Sequence, residues 1–150
     1  MNIEQYAKDY EFATQKFLDA VASLPKSALD QPKKDGWNAR QVIHHLADSE
    51  SQSCARLRRL IAEPGTTIQG YDENKWANSP TLGYKELPIE ASLALFKAAR
   101  ESALLLIKRL TPEQLKIVGT HTESGEYSVQ KWIDTYTRHP QEHAEQLLAD

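Results

Sequence analysis

Apolar residues recur every three or four positions in four stretches of the chain, and no stretch alternates convincingly at period two. In the first, Ile3, Tyr6, Tyr10, Ala13, Phe17, Val21 and Leu24 share one face, and Pro25 closes the run. A polar linker from Pro25 to Gly36 follows. Asn38 is a good N-cap, so a second helix is predicted from there to about Glu63, where Pro64-Gly65 ends it. Thr66 to Leu87 shows no period and reads as a long irregular connection. The third helix has Pro88 in its first turn and an inward stripe of Ile89, Leu93, Phe96, Ala103, Leu104, Ile107 and Leu110. Thr111-Pro112-Glu113 opens a short helical turn. The fourth helix is expected from about Ser128 to Leu148, with Val129, Trp132, Ile133, Tyr136, His143 and Leu147 inward. Four amphipathic helices of about twenty residues each predict an all-α four-helix bundle.

Composition narrows the picture. With 150 residues the chain holds one core, expected as a single domain over residues 1–150. Lys and Arg number 18 against 21 Asp and Glu, a net charge of −3, so a nucleic-acid backbone is a poor partner. The longest unbroken apolar run, Ala103 to Ile107, is far too short to span a membrane. The opening residues carry acids where a secretory signal needs a basic stretch and an apolar core. One cysteine, Cys54, excludes an internal disulfide and fits a reducing compartment, so a cytoplasmic location is expected.

Five histidines carry the chemistry. His139 and His143 are spaced i, i+4, which stacks two imidazoles on one helical face where they can share a metal. On the wheel of the fourth helix His143 lies inside the apolar stripe and His139 on its edge. On the second helix His45 flanks the stripe of Val42, Leu46, Ser49, Ser53, Leu57 and Leu60, whereas His44 points to the opposite side. A lone inward histidine is usually a hydrogen-bonded core residue; three, two of them at ligand spacing, point to a metal site. His45 and His143 each sit about 10 Å from one end of their helices at 1.5 Å per residue. They reach one metal only if the second and fourth helices are antiparallel. An up-down-up-down bundle would make them parallel, so one connection must cross the bundle's length, giving up-down-down-up, and Pro64 to Leu87 is long enough. His121 is left at the other end.

Three imidazoles leave a cation with positions for water or substrate, which reads as catalytic rather than structural. Zn²⁺, Ni²⁺, Co²⁺ and Fe²⁺ all suit imidazole, with Zn²⁺ and Ni²⁺ foremost. Bound water would be acidified, or a substrate thiol would bind as thiolate.

The segment Gly36-Trp37-Asn38-Ala39-Arg40-Gln41-Val42-Ile43-His44-His45-Leu46-Ala47-Asp48-Ser49, with Gly70-Tyr71-Asp72-Glu73-Asn74-Lys75-Trp76-Ala77 and His139-x-x-x-His143, resembles the signature of the DinB-like superfamily. The resemblance is nearest to its YfiT-like branch of metal-dependent hydrolases and bacillithiol S-transferases. It implies a four-helix bundle with one crossover, a metal site on His45, His139 and His143, and a homodimer.

Other residues have two readings each. Arg100 and Arg56 fall on core-facing stripes: either one points into the metal pocket to hold an anionic substrate group, or each is a buried ion pair or a snorkelled side chain. Asp48, one turn after His45, is a candidate acceptor for a ligand histidine or a solvated carboxylate. Asp72, on the crossover, is a candidate base or water-holder. Cys54 reads as packing, with no histidine placed to activate it. Pro140 removes one helical N–H between the paired histidines and crowds the carbonyl of Tyr136. The expected activity is S-transfer or hydrolysis on a small-molecule thiol or electrophile, with Asp72 and Arg100 assisting. The alternative is a non-catalytic metal-binding or dimerisation module of the same fold.

Overall fold

The computed structural model describes residues 2–34 and 36–149. Its long helices are α1 (Ile3–Ser23), α2 (Ala39–Ala62), α4 (Glu90–Ile107) and α5 (Val129–Leu148), with a short α3 (Glu73–Asn78) in the crossover. The starts of α2 and α5 follow the expected signals, whereas α4 begins at Glu90 and leaves Pro88 just before its cap instead of in its first turn. Asn38 accepts from the Gln41 N–H while the Gln41 side chain accepts from the Asn38 N–H, a reciprocal capping box that fixes where α2 begins. Ser128 caps α5 through the Lys131 N–H.

Helix directions come from the cross-links. Tyr6 donates to Gln130 at 2.9 Å and Lys16 pairs with Glu145 at 3.3 Å, so α1 and α5 run parallel. His44 meets Ser92 at 2.7 Å and Arg58 donates to Ser102 at 2.8 Å, so α2 and α4 are parallel too. Trp132 donates to the Ser53 carbonyl at 2.9 Å, near the start of α5 but past the middle of α2, so those two helices are antiparallel. This is the up-down-down-up bundle with a crossover between the second and third long helices. The crossover descends along α2: the Gln69 carbonyl accepts from Arg56, Tyr84 donates to Asp48 at 2.5 Å, and the Leu87 carbonyl reaches His44 and Arg40.

Strands, which the periodicity did not predict, are present. β1 (Thr67–Ile68) pairs in parallel with β2 (Val118–His121), and β2 pairs antiparallel with β3 (Gly125–Ser128). Elements of two to four residues are too short to show alternation. The stretch from Thr66 to Leu87 is correspondingly less irregular than expected, holding both β1 and α3. Gly119 in β2 sits where a Cβ would lie 2.5 Å from the Thr66 carbonyl oxygen, so the sheet closes only over a bare backbone.

The core has two apolar clusters. One gathers Tyr10, Leu57, Leu60, Ile107, Trp132 and Tyr136, the other Phe17, Val42, Leu46, Phe96, Ala144 and Leu147. Also in the interior is a polar pair, Glu50 and Arg100, at 0% and 1% exposure.

Candidate metal centre

His45 lies two turns into α2 and is buried at 1% exposure, while His139 and His143 on α5 are partly exposed. Antiparallel packing brings the three rings together. Nε2 of His139 lies 3.2 Å from Nε2 of His45 and 3.0 Å from Nε2 of His143. A cation about 2.0–2.1 Å from three nitrogens at tetrahedral or octahedral angles would set them about 2.9–3.4 Å apart, and both distances fall in that window. The protons fit as well. Nδ1 of His143 is 2.6 Å from the Gln146 amide oxygen, which can only accept, so Nδ1 carries the hydrogen and Nε2 presents a lone pair. Three Nε2 atoms this close can share at most a proton or two, and a cation satisfies all their lone pairs at once. The residues therefore fit a divalent metal. Trp37 flanks the site, its ring 4.9 Å from that of His45.

Burial keeps these imidazoles neutral. Desolvation first, then the neighbouring His143, pushes His45 down to about 3; desolvation and then the charges of His143 and His45 push His139 down to about 2. Desolvation also lowers His143, against the Gln146 hydrogen bond. An ordinary histidine titrates near 6.5, so as pH falls the unfolded chain takes up protons before the folded one. The stability held by neutral histidines is complete above about 6.5 and is lost as pH drops toward the folded values. Protein stripped of metal is expected to lose about 1–2 kcal/mol for each of His45 and His139 between pH 7.5 and 5.5. Urea denaturation at the two pH values, compared with a His45→Gln variant, measures the histidine share. An identical pH slope in the variant would count against it.

Residues 9–147 match the model of the DinB superfamily. The chain belongs to this superfamily. Among its relatives, a protein of Oceanobacillus iheyensis named as a candidate metal-dependent hydrolase is 35% identical over 142 residues, 94% of this chain and 81% of that protein. Another of Bacillus mycoides, named likewise, is 30% identical over 148 residues, 98% of this chain and 84% of that protein. YfiT from Bacillus subtilis, described as a candidate metal-dependent hydrolase with an unusual four-helix bundle topology, superimposes with a TM-score of 0.83. It is 28% identical, covering 97% of this chain and 85% of that one. Among the described residues of this DinB chain, no helix is long and apolar enough to cross a membrane.

Not every residue singled out in the sequence joins the histidines. Of the two readings of Arg100, an anion-holder in the pocket or a buried ion pair, its contacts match the buried pair. Its guanidinium is buried and donates to Thr14, Glu50 and the Tyr136 and Tyr10 carbonyls, presenting no exposed donor to a substrate. Asp72 is exposed and caps α3, accepting from the Lys75 N–H at 3.0 Å, and it makes no hydrogen bond to the three rings. Asp48 accepts from Tyr84 instead of a ligand histidine. Arg56 bonds the Tyr136 hydroxyl and the Gln69 carbonyl, tying down the crossover. His44 is buried on the far side of α2, between Ser92 and the Leu87 carbonyl, and His121 lies in β2. Three contributors escaped the sequence reading. Glu50 follows Leu46 by four and precedes Ser53 by three, a stripe position where a carboxylate needs a partner. Gln146 stands three after His143, within reach along the helix. Trp37 precedes the cap of α2 and carries no periodic signal.

Proposed function

We propose that this DinB-family protein is a metal-dependent enzyme in which His45, His139 and His143 hold one divalent cation, Zn²⁺ or Ni²⁺. The reaction is hydrolysis, or S-transfer from a small-molecule thiol, on an electrophilic small molecule. The observation that carries this is the approach of three Nε2 atoms at 3.0 and 3.2 Å, with the His143 proton held on the other nitrogen by Gln146. When bound, the cation supplies an acidified water or thiol at neutral pH. The chain's part is to present three neutral imidazoles without having to remove protons from them, since burial has already done so. Trp37 walls one side of His45.

Metal-loaded protein is expected to turn over an ester, an amide or a thiol–electrophile pair, to lose that turnover on chelation and to regain it with Zn²⁺ or Ni²⁺. A second reading, a non-catalytic metal-binding module, is favoured by one observation. Among the described residues no carboxylate is hydrogen-bonded to the three rings, so a general base is not evident. Stoichiometric metal with no turnover across a broad panel would establish that reading and overturn the enzyme.

A further inference from the structure

We infer that Arg100 is the positioning residue for His139, acting through the break in backbone bonding that Pro140 makes. This rests on the reading of the three histidines as metal ligands and adds how one of them is held.

A proline at 140 has no N–H, so the carbonyl of Tyr136, four residues earlier, loses its helical donor. Tyr136 is buried, and an unpaired carbonyl there would be costly. Arg100 supplies the replacement: its Nη1 donates to that carbonyl at 2.7 Å. α5 consequently runs unbroken from Val129 to Leu148 with the proline inside it. The guanidinium is fixed from other sides as well. Nε donates to Thr14 Oγ1 at 2.7 Å, Nη2 to the Tyr10 carbonyl at 3.0 Å, and Nη1 also to Glu50 Oε1 at 2.9 Å. Its carbon lies 3.6 Å above the centre of the Tyr10 ring, and Ser53 holds the other Glu50 oxygen at 2.7 Å. One arginine thus joins α1, α2, α4 and α5, and it does so at the carbonyl three residues before His139.

His139 needs such help more than its neighbour does. A ligand imidazole is ordinarily aimed by a hydrogen bond on its distal nitrogen. His143 has one, to Gln146. The buried Nδ1 atoms of His139 and His45 have no partner among the described residues, so the His139 ring direction follows from its backbone and packing. That backbone lies between the carbonyl held by Arg100 and the proline. A lysine would keep the charge but could not reach four acceptors with a planar fork.

Titrating metal-free protein with Co²⁺, read by visible absorption, tests this. Arg100→Lys is expected to weaken Co²⁺ binding about 10–100-fold and to shift the spectrum. In a Pro140→Ala background, where an N–H returns to the Tyr136 carbonyl, the same substitution should cost less than about 3-fold. Ile107→Ala, a comparable core lesion elsewhere on α4, should leave affinity and spectrum unchanged. Thr14→Val removes the Nε partner, together with the hydroxyl's own bond to the Tyr10 carbonyl, and should weaken binding several-fold, which keeps the test open if Arg100→Lys does not fold. Unchanged affinity in both Arg100→Lys and Thr14→Val, or equal losses in both backgrounds, would overturn the inference. Wild-type protein that binds no Co²⁺ would instead overturn the metal reading beneath it.

Discussion

His143→Ala is expected to abolish stoichiometric metal retention while the helical circular dichroism stays that of the wild type. The substitution deletes one of three proposed nitrogen donors and, among the described residues, the one of the three rings whose tautomer is set by a side chain. Losing an outer partner of a ligand typically costs 10–100-fold in affinity, and losing the ligand itself should exceed about 100-fold. The fold should tolerate it, because His143 is partly exposed near the end of α5 and its loss opens no sealed cavity. Elemental analysis after gel filtration and a competitive Zn²⁺ titration are the measurements. Full retention of metal would remove the basis for any metal-dependent activity at this site. Gln146→Ala should fall between, since it frees the His143 proton without removing the ring.

Glu50→Ala is expected to cost about 3–5 kcal/mol of folding stability, the range found when one partner of a buried ion pair is removed. Glu50 is fully buried, and its carboxylate is the only anion paired with Arg100 among the described residues. Removing it leaves a guanidinium in the core with no countercharge, and Ser53 loses its side-chain acceptor. Exposed pairs such as Lys8 with Glu4, screened by water, should contribute far less. Urea unfolding of Glu50→Ala beside Glu4→Ala makes the comparison. A loss below about 1 kcal/mol at Glu50 would mean that water reaches the arginine and that the pair is not sealed.

Much of this was legible in the residues. The four long helices were, because each runs for five turns or so with a continuous apolar stripe, and because Asn38 and Ser128 are caps by chemistry. Beside the family resemblance, the topology was legible through the histidines: their depths along the second and last helices demanded that those helices be antiparallel, and the long crossover could meet that demand. The three short strands were not, since Thr67-Ile68 finds its partner Thr120-His121 more than fifty residues away and no local pattern announces it. Arg100 shows the limit most clearly. Its place on an inward stripe was plain, but a buried charge has two explanations, and choosing between them required seeing Glu50, whose own stripe position drew no notice. Asp72 was similar: a carboxylate before Glu-Asn-Lys-Trp caps a short helix, which a reading of that stretch as irregular could not reveal.

The order of the helices has a consequence for biogenesis. The parallel α1 and α5 that flank the bundle come from opposite ends of the fold, and the histidines that meet are separated by 94 positions. A ribosome must therefore finish α5 before any cation can be captured by all three rings. Until then only His45 of the three proposed ligands is present. On the proposed reading, an ion bound there would staple α5 onto α2.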